Sequence, residues 1–151
     1  MNKCYLCKSK LLLLTKGTRD NPNVDILSCS KCELRQLSSF DHISDKHYVN
    51  SEMKYPSKPI QDVERRLKRL SNVIKGKDIL EFGSGLGTFC VAAKKYVNSI
   101  TAFDLDRQAE NYYKSNGIAF HNDINKLKEK KFDCIVMFHV LEHLKNPIET
   151  L

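Results

Sequence analysis

The chain has 151 residues, 41% of them apolar and 28% charged, with a formal net charge of +7. That balance excludes wholesale disorder, and the length admits one ordinary domain or a small module joined to part of a larger one. The longest purely aliphatic run, Leu11 to Leu14, falls far short of the roughly 18 residues that cross a bilayer, and no small-residue cleavage site follows it, so no membrane partner is expected and the chain reads as cytoplasmic.

Residues 1 to about 40 carry four of the six cysteines, few periodic apolar positions and a turn-rich centre from Gly17 through Asn23. Cys4-x2-Cys7 and Cys29-x2-Cys32 are separated by 21 residues, slightly more than the usual zinc-ribbon interval. In a reducing compartment such paired spacings favour a metal over disulfides. Two residues between thiolates let one tight turn present both sulfurs to a single ion, and two such turns complete a tetrahedral set. Cys4, Cys7, Cys29 and Cys32 are therefore expected to hold a structural Zn2+ in a zinc-ribbon-like module spanning 1–40. Free thiols, redox pairs and an iron–sulfur cluster are the alternatives. Four thiolates and one divalent ion would bring the formal charge from +7 to +5. Cys90 and Cys134 fall within a predicted helix and strand and read as packing residues.

A polar linker spans 41–59, with two prolines and scattered aromatics at Phe40, Tyr48 and Tyr55. From Ile60 the apolar residues Ile60, Val63, Leu67, Leu70 and Ile74 recur at helical spacing, so one face should bury while the arginines stay solvated, and Gly76 should stop the helix. No aromatic residue interleaves with Arg65, Arg66, Lys68 and Arg69, so this run reads as a solvated helix face and nucleic acid is not the expected partner. Beyond it the pattern alternates: Asp78 to Phe82, Thr88 to Val97, Ser99 to Phe103, Arg107 to Ser115, Ile118 to His121 and Phe132 to Phe138. This is β-α-β-α-β followed by another strand, the pattern of an α/β parallel sheet with crossover helices.

Between the first of these strands and the following helix lie Gly83, Gly85 and Gly87, which allow a tight turn and a close ligand approach. A dinucleotide fingerprint would put its third glycine at position 88, which is Thr88, so the spacing departs from that pattern. Asp104 closes the second strand 21 residues after Gly83, where a carboxylate can accept hydrogen bonds from both hydroxyls of an adenosine ribose. Asp106 better suits the cap of the next helix.

The segments LEFGSGLGTF, TAFDLD, HNDI and FDCIVMFHVLEHLKNP resemble, in this order, the successive motifs of class I S-adenosylmethionine methyltransferases. CYLC followed by CSKCELRQLS resembles the zinc-binding domain fused ahead of methyltransferase domains in sugar-modifying and related small-molecule enzymes. The resemblance implies a partial Rossmann-like sheet of strand order 3-2-1-4 over 60–151, with S-adenosylmethionine as cofactor. It places Glu81, Gly83 and Gly85 around the methionine part and the loop backbone, Asp104 on the ribose and Asp123 near the adenine amino group. Ser84, Gly87, Leu105 and Ile124 join the cofactor-binding set. Phe138 and His139 would border the cofactor and the transferred methyl, with His139 as a general base or, alternatively, a cofactor-lining or helix-capping residue. Glu142 and His143 read as local structure at a helix start, and His42, His47 and His121 as surface or packing residues.

The family's sheet has seven strands and four are found before Thr150-Leu151, so the chain reads as an N-terminal fragment. The unpaired edge of the fourth strand would invite self-association or docking of a missing C-terminal segment. The implied acceptor is a small molecule such as a nucleotide-linked sugar. An RNA methyltransferase, or a non-catalytic remnant that binds S-adenosylmethionine, are the alternatives.

Overall fold

The computed structural model describes residues 3–19, 21–39, 61–144 and 146–150. The expected linker 41–59, together with Phe40 and Ile60, lies outside the described residues, as do His42 and His47 within it. Two compact units are present: Met1–Ser44 with Leu141–Leu151, and Asp45–Val140.

The first unit contains a three-stranded antiparallel sheet, β1 (Leu11–Thr15), β2 (Ile26–Cys29) and β3 (Arg35–Leu37), in that order. Strands this short carry too few residues for a readable alternation, and Leu12, Leu13 and Leu14 are all exposed. The turn-rich stretch joins β1 to β2. Its backbone is satisfied locally, with the Gly17 N–H donating to Asp25 Oδ1 at 2.8 Å and the Asn23 N–H to Asn21 Oδ1 at 3.0 Å. Buried Gln36 on β3 accepts the Tyr5 N–H at 3.1 Å, which explains a polar side chain inside this sheet.

The second unit is a four-stranded parallel sheet. Helix α1 (Gln61–Ile74) leads into β4 (Asp78–Phe82), followed by α2 (Thr88–Ala93), β5 (Ser99–Phe103), α3 (Glu110–Ser115), β6 (Ala119–His121), a 3-10 turn at Ile124–Leu127, and β7 (Cys134–Met137). The order across the sheet is β6-β5-β4-β7, the expected 3-2-1-4. Central β4 pairs on both sides and reads as a continuous buried run, as parallel strands covered on both faces must. Ile79, Ile100, Ala102 and Val136 of the strands meet Phe89, Cys90 and Ala93 of α2, Tyr113 of α3 and Ile74 of α1 in one core. Gly76, at φ +67°, ends the α1 segment as expected, and its N–H donates to the Tyr96 carbonyl at 2.9 Å.

Three local expectations need correction. Helix α2 stops at Ala93, not near Val97, because the chain turns there: the Tyr96 N–H donates to the Ala93 carbonyl at 2.8 Å and the Asn98 N–H to the Lys77 carbonyl at 2.9 Å. Helix α3 begins at Glu110, with Ala109 at its N-cap; Asp106 instead accepts the Gln108 N–H at 2.9 Å and caps the turn that leads into it. The arginines of α1 do not all stay solvated. The Arg66 guanidinium lies 4.2 Å from the Phe138 ring centroid and its side chain is 20% exposed, because the electron-rich ring face attracts a weakly hydrated cation. No helix among the described residues is long and apolar enough to cross a membrane.

Candidate functional site

The turn after β4 is tied to the end of β5. The Gly83 and Ser84 N–H groups both donate to the Phe103 carbonyl, at 2.8 and 3.0 Å, and the Ser84 hydroxyl donates to the same oxygen at 3.2 Å. A Cβ on Gly83 would stand 2.3 Å from Val140 Cγ2, and one on Gly87 would stand 2.3 Å from Tyr113 Cε1. Gly85 differs: at φ +52° its absent Cβ would meet nothing within 4 Å, so the backbone there faces open space that a ligand can enter.

Asp104 bridges the two strands. Its Oδ2 accepts the Gly85 N–H at 2.7 Å and its Oδ1 accepts the Asp106 N–H at 2.9 Å. Burial pushes its carboxyl above the usual range, while these two N–H donors pull it back. Beneath the loop, Glu81 is 3% exposed and burial pushes its carboxyl up to about 7. Cys90 donates its thiol proton to Glu81 Oε2 at 2.9 Å. The packing role expected of Cys90 therefore holds, with a hydrogen bond to a buried acid added to it. Cys134 is only partly buried.

Sequence reasoning missed Tyr113, whose hydroxyl lies 2.8 Å from both Ser84 Oγ and the Gly85 carbonyl oxygen. Its ring is fully buried and stacks on Phe120 with centroids 4.9 Å apart. The signal was a tyrosine on the inner face of a short amphipathic stretch, which by itself indicates only packing. Gly87→Ala should destabilise the fold by about 2–4 kcal/mol, combining a left-handed φ of +73° with a collision against that ring. Urea unfolding measures this, and a wild-type midpoint would mean that the ring swings aside at no cost.

The other expected residues follow the carboxyl ends of β5, β6 and β7. Asp123, past β6, caps the 3-10 turn by accepting the Asn125 N–H at 3.0 Å, and hydrogen bonds from Asn125 hold its carboxyl low. Leu105 and Ile124 are exposed apolar side chains. His121 lies 3.0 Å from Lys130 Nζ, in keeping with a surface role. Phe138 packs edge-on against Phe89 with centroids 4.8 Å apart. His139, exposed, takes a left-handed φ of +56°, a conformation that costs a non-glycine residue about 1–2 kcal/mol. With Phe138, Met137, Arg65, Arg66 and Arg69 it lines a cavity of about 270 Å³. Of the expected cofactor residues outside the turn itself, Asp104 is the one whose side chain bonds to the turn among the described residues.

In the first unit the four sulfurs of Cys4, Cys7, Cys29 and Cys32 lie within 4.8 Å of one another, with Cys4–Cys32 at 3.6 Å and Cys7–Cys29 at 3.4 Å. A tetrahedral thiolate set around zinc has sulfurs about 3.8 Å apart, so the cluster fits such an ion closely. Both knuckles share one geometry. The Lys8 N–H donates to the Cys4 carbonyl at 3.0 Å and the Glu33 N–H to the Cys29 carbonyl at 3.2 Å, with Lys8 and Glu33 both left-handed. Hydrogen bonds from Ser9 hold the Cys7 thiol down at about 6. These four cysteines can hold a metal ion. Glu142 and His143 fall in a 3-10 turn, Leu141–His143, followed by a short helix at Pro147–Thr150.

A parallel sheet of this strand order, with a glycine turn after its first strand held to an acid that closes its second, is a partial Rossmann-like sheet. The family model described as Methyltransferase domain matches residues 49–151, more than half of the chain, and the chain belongs to that family, of the class I S-adenosylmethionine methyltransferases. No curated protein matches the sequence.

Proposed function

We propose that this chain binds S-adenosylmethionine at the carboxyl edge of its parallel sheet and directs methyl transfer to a small-molecule acceptor, a nucleotide-linked sugar being the favoured class. The hydrogen bond between the Gly85 N–H and Asp104 Oδ2 supports the reading, because it holds an open backbone turn beside the carboxylate that would meet the ribose. Each Asp104 oxygen accepts one backbone N–H and keeps a further lone pair for a ribose hydroxyl. Leu105 and Ile124 offer exposed apolar faces to an adenine ring, with Asp123 beside Ile124 to accept from its amino group. Glu81, buried at the end of β4 just before the turn, would face the methionine part in this arrangement.

The cofactor supplies an already activated methyl group, so the chain's task is alignment and exclusion of water. Phe138, held between Phe89 and Arg66, forms an apolar wall at the end of β7. An imidazole nitrogen of His139 takes the proton that an acceptor hydroxyl or amine gives up as it is methylated. Cys4, Cys7, Cys29 and Cys32 would hold one Zn2+ with all four thiolates, which would make the ion structural.

Calorimetry with S-adenosylmethionine and S-adenosylhomocysteine tests the cofactor reading. Asp104→Ala should weaken both at least a hundredfold, since two hydrogen bonds to a charged acceptor are lost at about 1.5–3 kcal/mol each. Failure of the wild-type chain to bind either compound would end the reading. Binding without methyl transfer to any nucleotide-sugar pool would leave a cofactor-binding protein that is not an enzyme on such substrates.

A further inference from the structure

We propose that the cleft between α1 and the end of β7 holds the anionic group of the acceptor, a phosphate or diphosphate, on Arg65, Arg66 and Arg69. This rests on the methyltransferase reading above and gives the acceptor its chemistry. Asp62, Arg65, Arg66 and Arg69 fall at i, i+3, i+4 and i+7, one stripe along α1. Asp62 pairs with both Arg65 and Arg66, so one carboxylate orients two guanidiniums, and the Arg65 hydrogen bond together with the charge of Arg66 holds that carboxyl below its usual range. Arg69 makes no ion pair among the described residues and lines the same cavity.

Asp62 pairs with Arg65 and Arg66 and the buried Glu81 carboxyl also feels the charge of Arg66, so the three guanidiniums keep an excess of positive charge, centred on Arg65 and Arg69, beside a cavity walled by Met137 and Phe138. Guanidinium forks pair with phosphate oxygens two at a time, a planar match that lysine lacks. Arg66 is already seated on the Phe138 ring, so little of its rotamer freedom remains to be lost on binding. The cavity, about 270 Å³, is slightly smaller than the roughly 300–1,000 Å³ that encloses a whole ligand, so it suits one charged group with the rest of the molecule outside. That remainder would lie beside His139, where the proposed transfer takes place.

Calorimetry on the full chain with inorganic pyrophosphate and, separately, with S-adenosylhomocysteine tests the assignment. The variants are Arg65→Gln, Arg69→Gln and Lys68→Gln, the last removing an exposed charge of the same helix that does not line the cavity. Pyrophosphate should bind the wild type, with affinity falling as salt rises. Each arginine variant should weaken it at least tenfold, Lys68→Gln less than twofold, and S-adenosylhomocysteine should bind all four chains equally. Equal pyrophosphate affinity across the set, or none in the wild type, overturns the proposal. So does selective loss of S-adenosylhomocysteine in the arginine variants, which assigns the cluster to the cofactor's carboxylate. A single-stranded RNA oligonucleotide that binds ten times tighter than pyrophosphate with the same arginine dependence assigns the cleft to nucleic acid and overturns it too. If S-adenosylhomocysteine binds none of the chains while pyrophosphate keeps its arginine dependence, the anion cleft stands and the cofactor reading falls.

Discussion

Removal of metal by a strong chelator at neutral pH should unfold the small antiparallel sheet of β1, β2 and β3. Its strands have three to five residues each, and Leu12, Leu13 and Leu14 contribute exposed rather than buried area, so apolar burial cannot hold it together. In such modules the binding energy of the ion is folding energy, about 10–16 kcal/mol for small zinc peptides at neutral pH. Hydrogen exchange separates the parts: amides of Ile26 to Cys29 should lose protection on chelation, while those of β4 and β5, within a continuous apolar core, should keep theirs. Cys29→Ser should act like chelation, because it removes one of four ligands. Metal analysis should find one zinc per chain. A metal-free preparation with unchanged protection in β2 would show that the cysteines merely pack.

Glu81→Gln should have opposite effects on stability and on cofactor binding. Burial raises the carboxyl from 4.5 to about 7, so the folded chain retains a proton that the unfolded chain has released between those values. The stability this group permits is therefore full below about pH 4.5, falls as pH rises towards 7, and stays low above it. At 1.36 kcal/mol per unit the penalty above pH 7 is roughly 3 kcal/mol. Glutamine keeps an oxygen that can accept the Cys90 thiol proton and has no charge to desolvate, so the variant should be more stable than wild type at pH 8 by about 2–3 kcal/mol and equal to it near pH 4.5. Asp104, raised by burial in the same direction, leaves a residual slope in the variant. Affinity for S-adenosylmethionine should fall at least tenfold, because a buried carboxylate can answer the cofactor's positive charges and an amide cannot. Thermal melts with zinc present between pH 4.5 and 8 measure the first effect and calorimetry the second. A variant less stable than wild type at pH 8 would mean that the wild-type carboxylate is already compensated in the folded chain.

Local chemistry made much of this protein legible without coordinates. Each Cys-x2-Cys knuckle specifies a pair of ligand sulfurs because the turn that presents both is contained within the motif, and two such pairs complete a four-sulfur set. The succession of short apolar strands and amphipathic stretches from Asp78 to Phe138 announced a parallel sheet, since each helix carries the chain back across the sheet to start the next strand in the same direction. Strand order 3-2-1-4 followed from the resemblance and appears as β6-β5-β4-β7. Element ends were less legible. Helix α2 is cut short by a turn whose carbonyl reaches Gly76, a partner in another element that no local window contains.

The residues alone determined the glycine turn, the acid that closes the second strand and each cysteine knuckle, because each depends on backbone permissiveness or ligand spacing within a few positions. Tertiary structure decided which side chains support them. Only the packing of α3 against β6 sets Tyr113 under the turn, and only the approach of α1 to the end of β7 draws Arg66 out of solvent onto Phe138 and gathers Arg65 and Arg69 beside His139. These are contacts between residues 28 to 74 positions apart, and such contacts are chosen by the shape of a packed core, which periodicity and spacing do not encode.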